Sequence, residues 1–244
     1  MRLTRIFVTA PLTPGAEVRL SASAASHVAR VLRLKEGAPL IVFDGTGGEH
    51  RAEIIRVAGA SVHVMLKEFM PGETEPALKL TLVQGVSRGE RMDWTLQKAT
   101  ELGVSAIVPV LTARSVVRLD ERQSMAKREH WQAVIVSACE QCGRTRVPEI
   151  APPVRLRDYL ATSKKEGLRL ALSPVAQGSL AGLASVSQKV ELLIGPEGGL
   201  DDTEHLLAEQ AGYLPVRLGP RVLRTETASV VALSVLQSLW GDLQ

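Results

Sequence analysis

Aromatic residues make up only 3% of this 244-residue chain: three tryptophans, three phenylalanines and two tyrosines. So few rings argue against a broad surface on which successive nucleic-acid bases could stack. Cysteine is equally scarce, and two residues in a chain without an export signal argue against a disulfide scaffold. No apolar run is long enough to cross a bilayer, and the N-terminal MRLTRIFVTAPL lacks the apolar core and cleavage site of a signal peptide, so the expected location is cytoplasmic. Both phosphate-loop patterns, G-x-x-x-x-G-K-[ST] and G-x-G-x-x-G, are also missing.

What is present is ordinary globular material, 45% hydrophobic and 23% charged, in a chain long enough for two modest domains. The net charge of +3 permits nucleic-acid binding without requiring it. Arginine outnumbers lysine and crowds residues 19 to 33, 51 to 56, 88 to 91, 114 to 128, 144 to 157 and 217 to 224. Its planar fork suits phosphate, although each cluster alone can be a solvated surface.

Residues 1–72 read as short strands, RLTRIFVTA, APLIVFDG, RAEIIRVAG and SVHVMLKEF, a spacing that suggests a small β-barrel. Between the first two, SASAASHVARVLRLKEG has serine caps and helical periodicity, and MPGETEPALK (70–79) looks like a linker. From residue 73 to 244 the period changes. KLTLVQG, SAIVPVLT, LRLALSP, VELLIG and LPVRLG are continuous apolar runs, as in parallel strands buried on both faces. Helical stretches between them stop at Gly103, Gly143 and Gly212, which predicts an α/β domain with helices on both faces of the sheet. The final TETASVVALSVLQSLW is apolar on nearly every side, so it packs in the core or against a second subunit.

Two glycine-proline segments follow strands: GPEGG (195–199) and LGPRVLRTETA (218–228). In open α/β sheets ligands bind beyond the carboxyl ends of strands. Glu197, Asp201 and Asp202 would repel phosphate here, so a cationic or neutral ligand fits better. The alternative is a pair of tight turns with Asp caps.

LIGPEGGLDDTE, LGPRVLRTETA, SRGERMDWTLQKATELGV and ACEQCGRTRVPEI resemble the motifs of the RsmE family, SPOUT-class methyltransferases acting on uridine N3 of small-subunit (16S) ribosomal RNA. HVARVLRLKEG and FDGTGG extend the resemblance to the N-terminal part. It implies a PUA-like β-barrel followed by a SPOUT α/β domain tied in a C-terminal trefoil knot, a topology that no periodicity predicts. It also implies a homodimer, S-adenosylmethionine as methyl donor, no metal and no membrane partner, and small-subunit ribosomal RNA within the 30S particle as substrate. Carried onto this sequence, the cofactor pocket uses Leu172, Gly195, Pro196, Gly198, Leu218, Val222, Leu223 and Ala228.

Uracil N3 must lose its proton as it takes the methyl, and charge spreads onto the flanking carbonyls, where an arginine can stabilise it. Arg224 is the candidate, its alternative role being a brace to Glu226 or Glu197. Glu197 can orient the uracil or accept its proton, or it can bond loop amides. Arg5, His27, Arg30, Arg33, Arg88 and Arg144 are the candidate RNA contacts, with His27, Arg30 and Arg33 expected on one helix face. Arg91 is read as helix-surface charge and Lys98 as a partner of Glu101. The Cys139-x-x-Cys142 pair near a helix end, with no second pair, reads as packing. An RNA-binding module without catalysis, a SPOUT methyltransferase acting on another RNA and a nucleotide-dependent enzyme are the rival readings.

Overall fold

A computed structural model describes residues 3–59, 61–72, 75–117, 119–164, 166–183 and 187–243, which fall into two units, Met1–Glu75 with Cys139–Val147, and Pro76–Ala138 with Pro148–Gln244. The units part at Glu75/Pro76, inside the segment read as a linker, whose Glu73 and Thr74 lie outside the described residues.

In the first unit, strands β1 (Arg5–Phe7), β2 (Glu17–Arg19), β3 (Pro39–Phe43), β4 (Glu49–Ala58) and β5 (Ser61–Met70) form one sheet in the order β1-β3-β4-β5-β2. All neighbours are antiparallel except β1 and β3. The alternation that marks β4 and β5 in the sequence turns Ala52, Ile54, Val62, Val64 and Leu66 inward, onto Ile6, Val18, Leu40 and Val42. Each of the valines, leucines and isoleucines among them, fully buried, contributes about 1.5–3 kcal/mol. Helix α1 (Ala22–Ser26) starts at Ser21, whose Oγ accepts the Ala24 amide. It then widens into a π-helical turn over His27–Val31, and Arg33 leaves it in a left-handed conformation at φ 54°. The single α-helical face expected for His27, Arg30 and Arg33 therefore does not form, although all three are exposed.

The second unit is a wholly parallel sheet of β6 (Lys79–Gly85), β7 (Ala106–Leu111), β8 (Glu149–Ile150), β9 (Val154–Arg155), β10 (Leu168–Leu172), β11 (Lys189–Ile194) and β12 (Leu214–Val216). Its order is β12-β10-β11-β6-β7-β8, with β9 also pairing β7. Pro109, inside β7, falls opposite the gap between the two short edge strands, where a missing amide is tolerated. Helices α2 (Glu90–Glu101), α3 (Glu121–Cys142), α4 (Leu156–Thr162), α5 (Asp202–Gln210) and α6 (Thr225–Trp240) complete it, the last turn of α3 clustering with the first unit. Val83, Val110, Ala171 and Leu193 form one core with α4 and α5. Leu82, Leu170 and Leu192 point to the other face, where α2 and α6 pack on each other. Gly103, Gly143 and Gly212 take positive φ at the helix ends, as expected. Among the described residues no helix is long and apolar enough to cross a membrane.

The strand order reverses between β6 and β11: the chain leaves β6 toward β7, then returns to the opposite side through β10. Ligands in such sheets occupy the crevice at that switch point, beyond the carboxyl ends of the strands.

Candidate active site

The loop after β11 is held where it is by close backbone approach. A Cβ on Gly85, at the end of β6, would stand 2.3 Å from Pro196 N, and one on Gly195 would stand 2.9 Å from Gly199 C. Gly199 adopts φ 69°, a conformation L side chains rarely tolerate. Gly198 leaves room for Arg114, whose Nη1 donates to the carbonyls of Gly198 and Leu200 at 3.1 and 3.3 Å. At the end of the loop, the side chain of Asp201 caps α5 by accepting the Glu204 amide at 2.8 Å. Glu204 answers from Asp201 N and also takes the Ala113 amide, tying α5 to the loop after β7.

Beneath the loop lies a buried polar chain. Thr225 Oγ1 donates to Gly195 O at 2.7 Å and accepts Gln84 Nε2 at 3.0 Å. Gln84 Nε2 also donates to Gly85 O, and Ser229 Oγ lies 2.7 Å from Gln84 Oε1. Because Gln84 and Ser229 are wholly buried, each of these bonds satisfies a group that water cannot reach. The network pins the first turns of α6 to the ends of β6 and β11.

Over this floor opens a cavity of about 720 Å³. It is lined by Leu172 at the end of β10, by Gly195, Pro196, Glu197 and Gly198, and by Leu218, Val222, Leu223, Arg224 and Ala228. All eight expected cofactor contacts and both expected catalytic residues therefore border one space. Arg91, Arg114, His205 and Glu226 border it too; of these the sequence places only Glu226 at the site, in the second loop and as a possible partner of Arg224.

The charges inside are arranged differently from expectation. Arg91, on the first turn of α2, donates to Glu197 Oε1 at 3.0 Å and lies 4.0 Å from Glu226 Oε1. Arg91, and not Arg224, is the brace to Glu197, so it is a wall of the site and not the plain surface charge its place on the helix suggests. The Arg88 amide also donates to Glu197 Oε1, at 3.0 Å. Partial burial opposes ionisation of Glu197, but these donors prevail and hold its carboxyl below the usual range. Such a carboxylate is a poor proton acceptor and a good strut. Arg224, at the N-cap of α6, is exposed and has no ion pair among the described residues, so its guanidinium is available to a ligand.

With this geometry established, the relatives decide the family. Residues 74–237 match the family described as RNA methyltransferase domain, and residues 13–64 match the RNA methyltransferase PUA domain. The ribosomal RNA small subunit methyltransferase E of Bacillus subtilis (strain 168) is 34% identical over 226 residues, covering 86% of this chain and 85% of its own. That of Buchnera aphidicola subsp. Schizaphis graminum (strain Sg) is 31% identical over 242 residues, covering 99% and 98%. The chain belongs to the RNA methyltransferase E family. The ribosomal RNA small subunit methyltransferase E of Neisseria gonorrhoeae, solved bound to S-adenosyl methionine, superposes with a TM-score of 0.95 at 35% identity over the whole of both chains. A protein of Legionella pneumophila, solved with the cofactor SAM, gives 0.96 at 42% identity, again over both whole chains.

In this family member, two expected RNA contacts are interior struts. Arg5 is 9% exposed, ion-paired with Glu49, bonded to Arg144 O and stacked 4.8 Å over the Phe43 ring. Arg144 is 5% exposed and makes a two-nitrogen contact with Glu75. Neither guanidinium has a face left for phosphate, because a charge buried at this depth needs its counter-ion. His27, Arg30, Arg33 and Arg88 are exposed. Lys98 pairs with Glu101 at 2.8 Å, as its i, i+3 spacing predicts. Cys139 is buried, and that burial pushes its thiol up to about 12, so it packs as an inert side chain. No group of His, Cys, Asp or Glu among the described residues is arranged to hold a metal ion.

Proposed function

We propose that this protein transfers a methyl group from S-adenosylmethionine to N3 of a uridine in 16S ribosomal RNA within the small subunit, giving 3-methyluridine, and that it works as a homodimer. The observation that carries this reading is the cavity beyond the carboxyl ends of β10, β11 and β12. Its glycine-built loop offers main-chain groups in place of a phosphate motif, and it lies in a chain alike from end to end to a relative solved with S-adenosyl methionine. Leu172, Leu218, Val222, Leu223 and Ala228 would enclose the adenosyl part, with Gly195, Pro196 and Gly198 approaching it through their backbone. When bound, the cofactor supplies an electrophilic methyl on a sulfonium.

Arg224 stabilises the negative charge that develops on the uracil carbonyls, and Glu197 with Arg91 fixes the wall against which the base is oriented. The return of the chain from β12, at the sheet edge, to Gly195 and Gln84 in its middle supports a knotted C-terminal segment. Val231, Val235 and Leu239 form a partly exposed apolar stripe on α6 opposite its buried face, which supports a subunit interface there. His27, Arg30, Arg33 and Arg88 would meet the RNA backbone.

The test is transfer of labelled methyl to small ribosomal subunits from cells lacking this protein, followed by nucleoside analysis. The expected result is one 3-methyluridine, with Arg224→Ala about 10²–10³-fold slower at unchanged cofactor affinity. Tight binding of S-adenosylmethionine without incorporation into subunits or free RNA would overturn the assignment of substrate.

A further inference from the structure

A uridine N3–H must give up its proton, and neither Glu197 nor Arg224 is suited to take it. Glu197 is committed to the Arg88 amide and the Arg91 guanidinium. Two other carboxylates border the same cavity: Asp202, exposed at the start of α5, and Glu226, on the first turn of α6 one residue beyond the Thr225 anchor. The Glu226 side chain is 15% exposed, and its Oε2 is buried with no hydrogen-bond partner among the described residues. The charged group nearest its other oxygen is Arg91 Nε at 4.0 Å, beyond hydrogen-bond distance. A carboxylate that borders a cavity and has no hydrogen-bond partner among the described residues finds its donor in what enters the cavity.

We infer that Glu226 accepts the N3 proton of the uracil. This rests on the uridine-N3 reading above and adds the acceptor that reading lacks. The balance is simple: the carboxylate takes the proton as the N–H bond breaks, and the freed N3 electron pair forms the new bond to the methyl carbon. The methyl's bond to sulfur breaks with its electrons staying on sulfur, which neutralises the sulfonium. The charged group set against Glu226 is Arg91 from α2, which also holds Glu197.

Glu226→Gln keeps the shape and one acceptor oxygen but cannot take a proton. On subunits that the natural protein converts to 3-methyluridine, the variant is expected to be about 10²–10⁴-fold slower. Its affinity for S-adenosylmethionine, read by calorimetry without RNA, should match that of the natural protein. A substrate carrying 5-fluorouridine at the target, whose imide is more acidic, should narrow the gap between the two proteins at least tenfold. Glu226→Asp, which retracts the carboxylate but keeps its chemistry, should fall between them. Turnover of Glu226→Gln within threefold of the natural protein would overturn the inference. So would a weakened cofactor affinity that accounts for the loss, or a gap that 5-fluorouridine leaves unchanged. If the natural protein itself makes no 3-methyluridine, the reading beneath fails and the inference goes with it.

Discussion

Replacing Thr225 with valine would remove one hydroxyl and almost no volume. That hydroxyl donates to Gly195 O and accepts from Gln84 Nε2, at a site 7% exposed. Valine leaves the Gly195 carbonyl and one Gln84 N–H without partners, while Gln84 keeps its bond to Gly85 O. An orphaned buried group costs about 1–3 kcal/mol, so two, one of them at the edge of a cavity, give roughly 2–4 kcal/mol. Domains are typically stable by about 5–15 kcal/mol, so the loss is large yet leaves the unit folded. All three tryptophans, Trp94, Trp131 and Trp240, belong to the second unit, so their fluorescence in a urea titration follows that unit alone. The midpoint should fall with the slope unchanged. Adding Ser229→Ala should cost less than its own single effect, because both residues serve the same Gln84. A change under about 0.5 kcal/mol with full affinity for S-adenosylmethionine would refute the view that this chain positions the loop.

Gly85→Ala should be among the most damaging small changes. Its Cβ meets the Pro196 backbone rather than a flexible side chain, so about 1–3 kcal/mol of overpacking should come with lost cofactor affinity in calorimetry. Glu197 has a lowered folded pKa, so its contribution is fully present above the ordinary carboxylate value of about 4.3 and disappears as pH falls through the folded value. The stability difference between the natural protein and Glu197→Gln, below about 1 kcal/mol beside a half-exposed Arg91, should be constant from about pH 7 to 5 and vanish below the folded value. An unchanged difference at the most acid point would contradict this. Arg144→Ala strands Glu75 and should destabilise the first unit by about 3–5 kcal/mol, read as lost hydrogen-exchange protection in β4 and β5. Intact protection with a weaker salt dependence of RNA binding would restore Arg144 to the RNA-contact role.

Where the sequence was readable, it was readable because one physical pattern dominated. KLTLVQG and VELLIG lie beside each other in the centre of a parallel sheet, and strands with no wet face carry uninterrupted apolar residues. Asp201 is recognisable as a cap because the capping requirement is local. β8, β9 and α4 escaped notice: strands of two residues and a seven-residue helix are too short to show a period. Arg5 and Arg144 were misjudged because an arginine looks the same in a sequence whether it faces water or a buried carboxylate. Only Glu49 and Glu75, 44 and 69 residues distant along the chain, make the difference.

By itself, then, the sequence determined the parallel α/β character of the larger unit, the strand-rich smaller one, and the position of two glycine-proline loops beyond strand ends. These are consequences of local sterics and of hydrophobic period, which act over a few residues. Which charges meet was decided by tertiary structure alone. Arg91 reaches Glu197 across more than a hundred residues, and that leaves Arg224 without an ion pair and Glu226 without a hydrogen bond among the described residues, both bordering the same cavity. Electrostatic pairing depends on distance in space, and the sheet order that sets those distances appears in no stretch short enough to read.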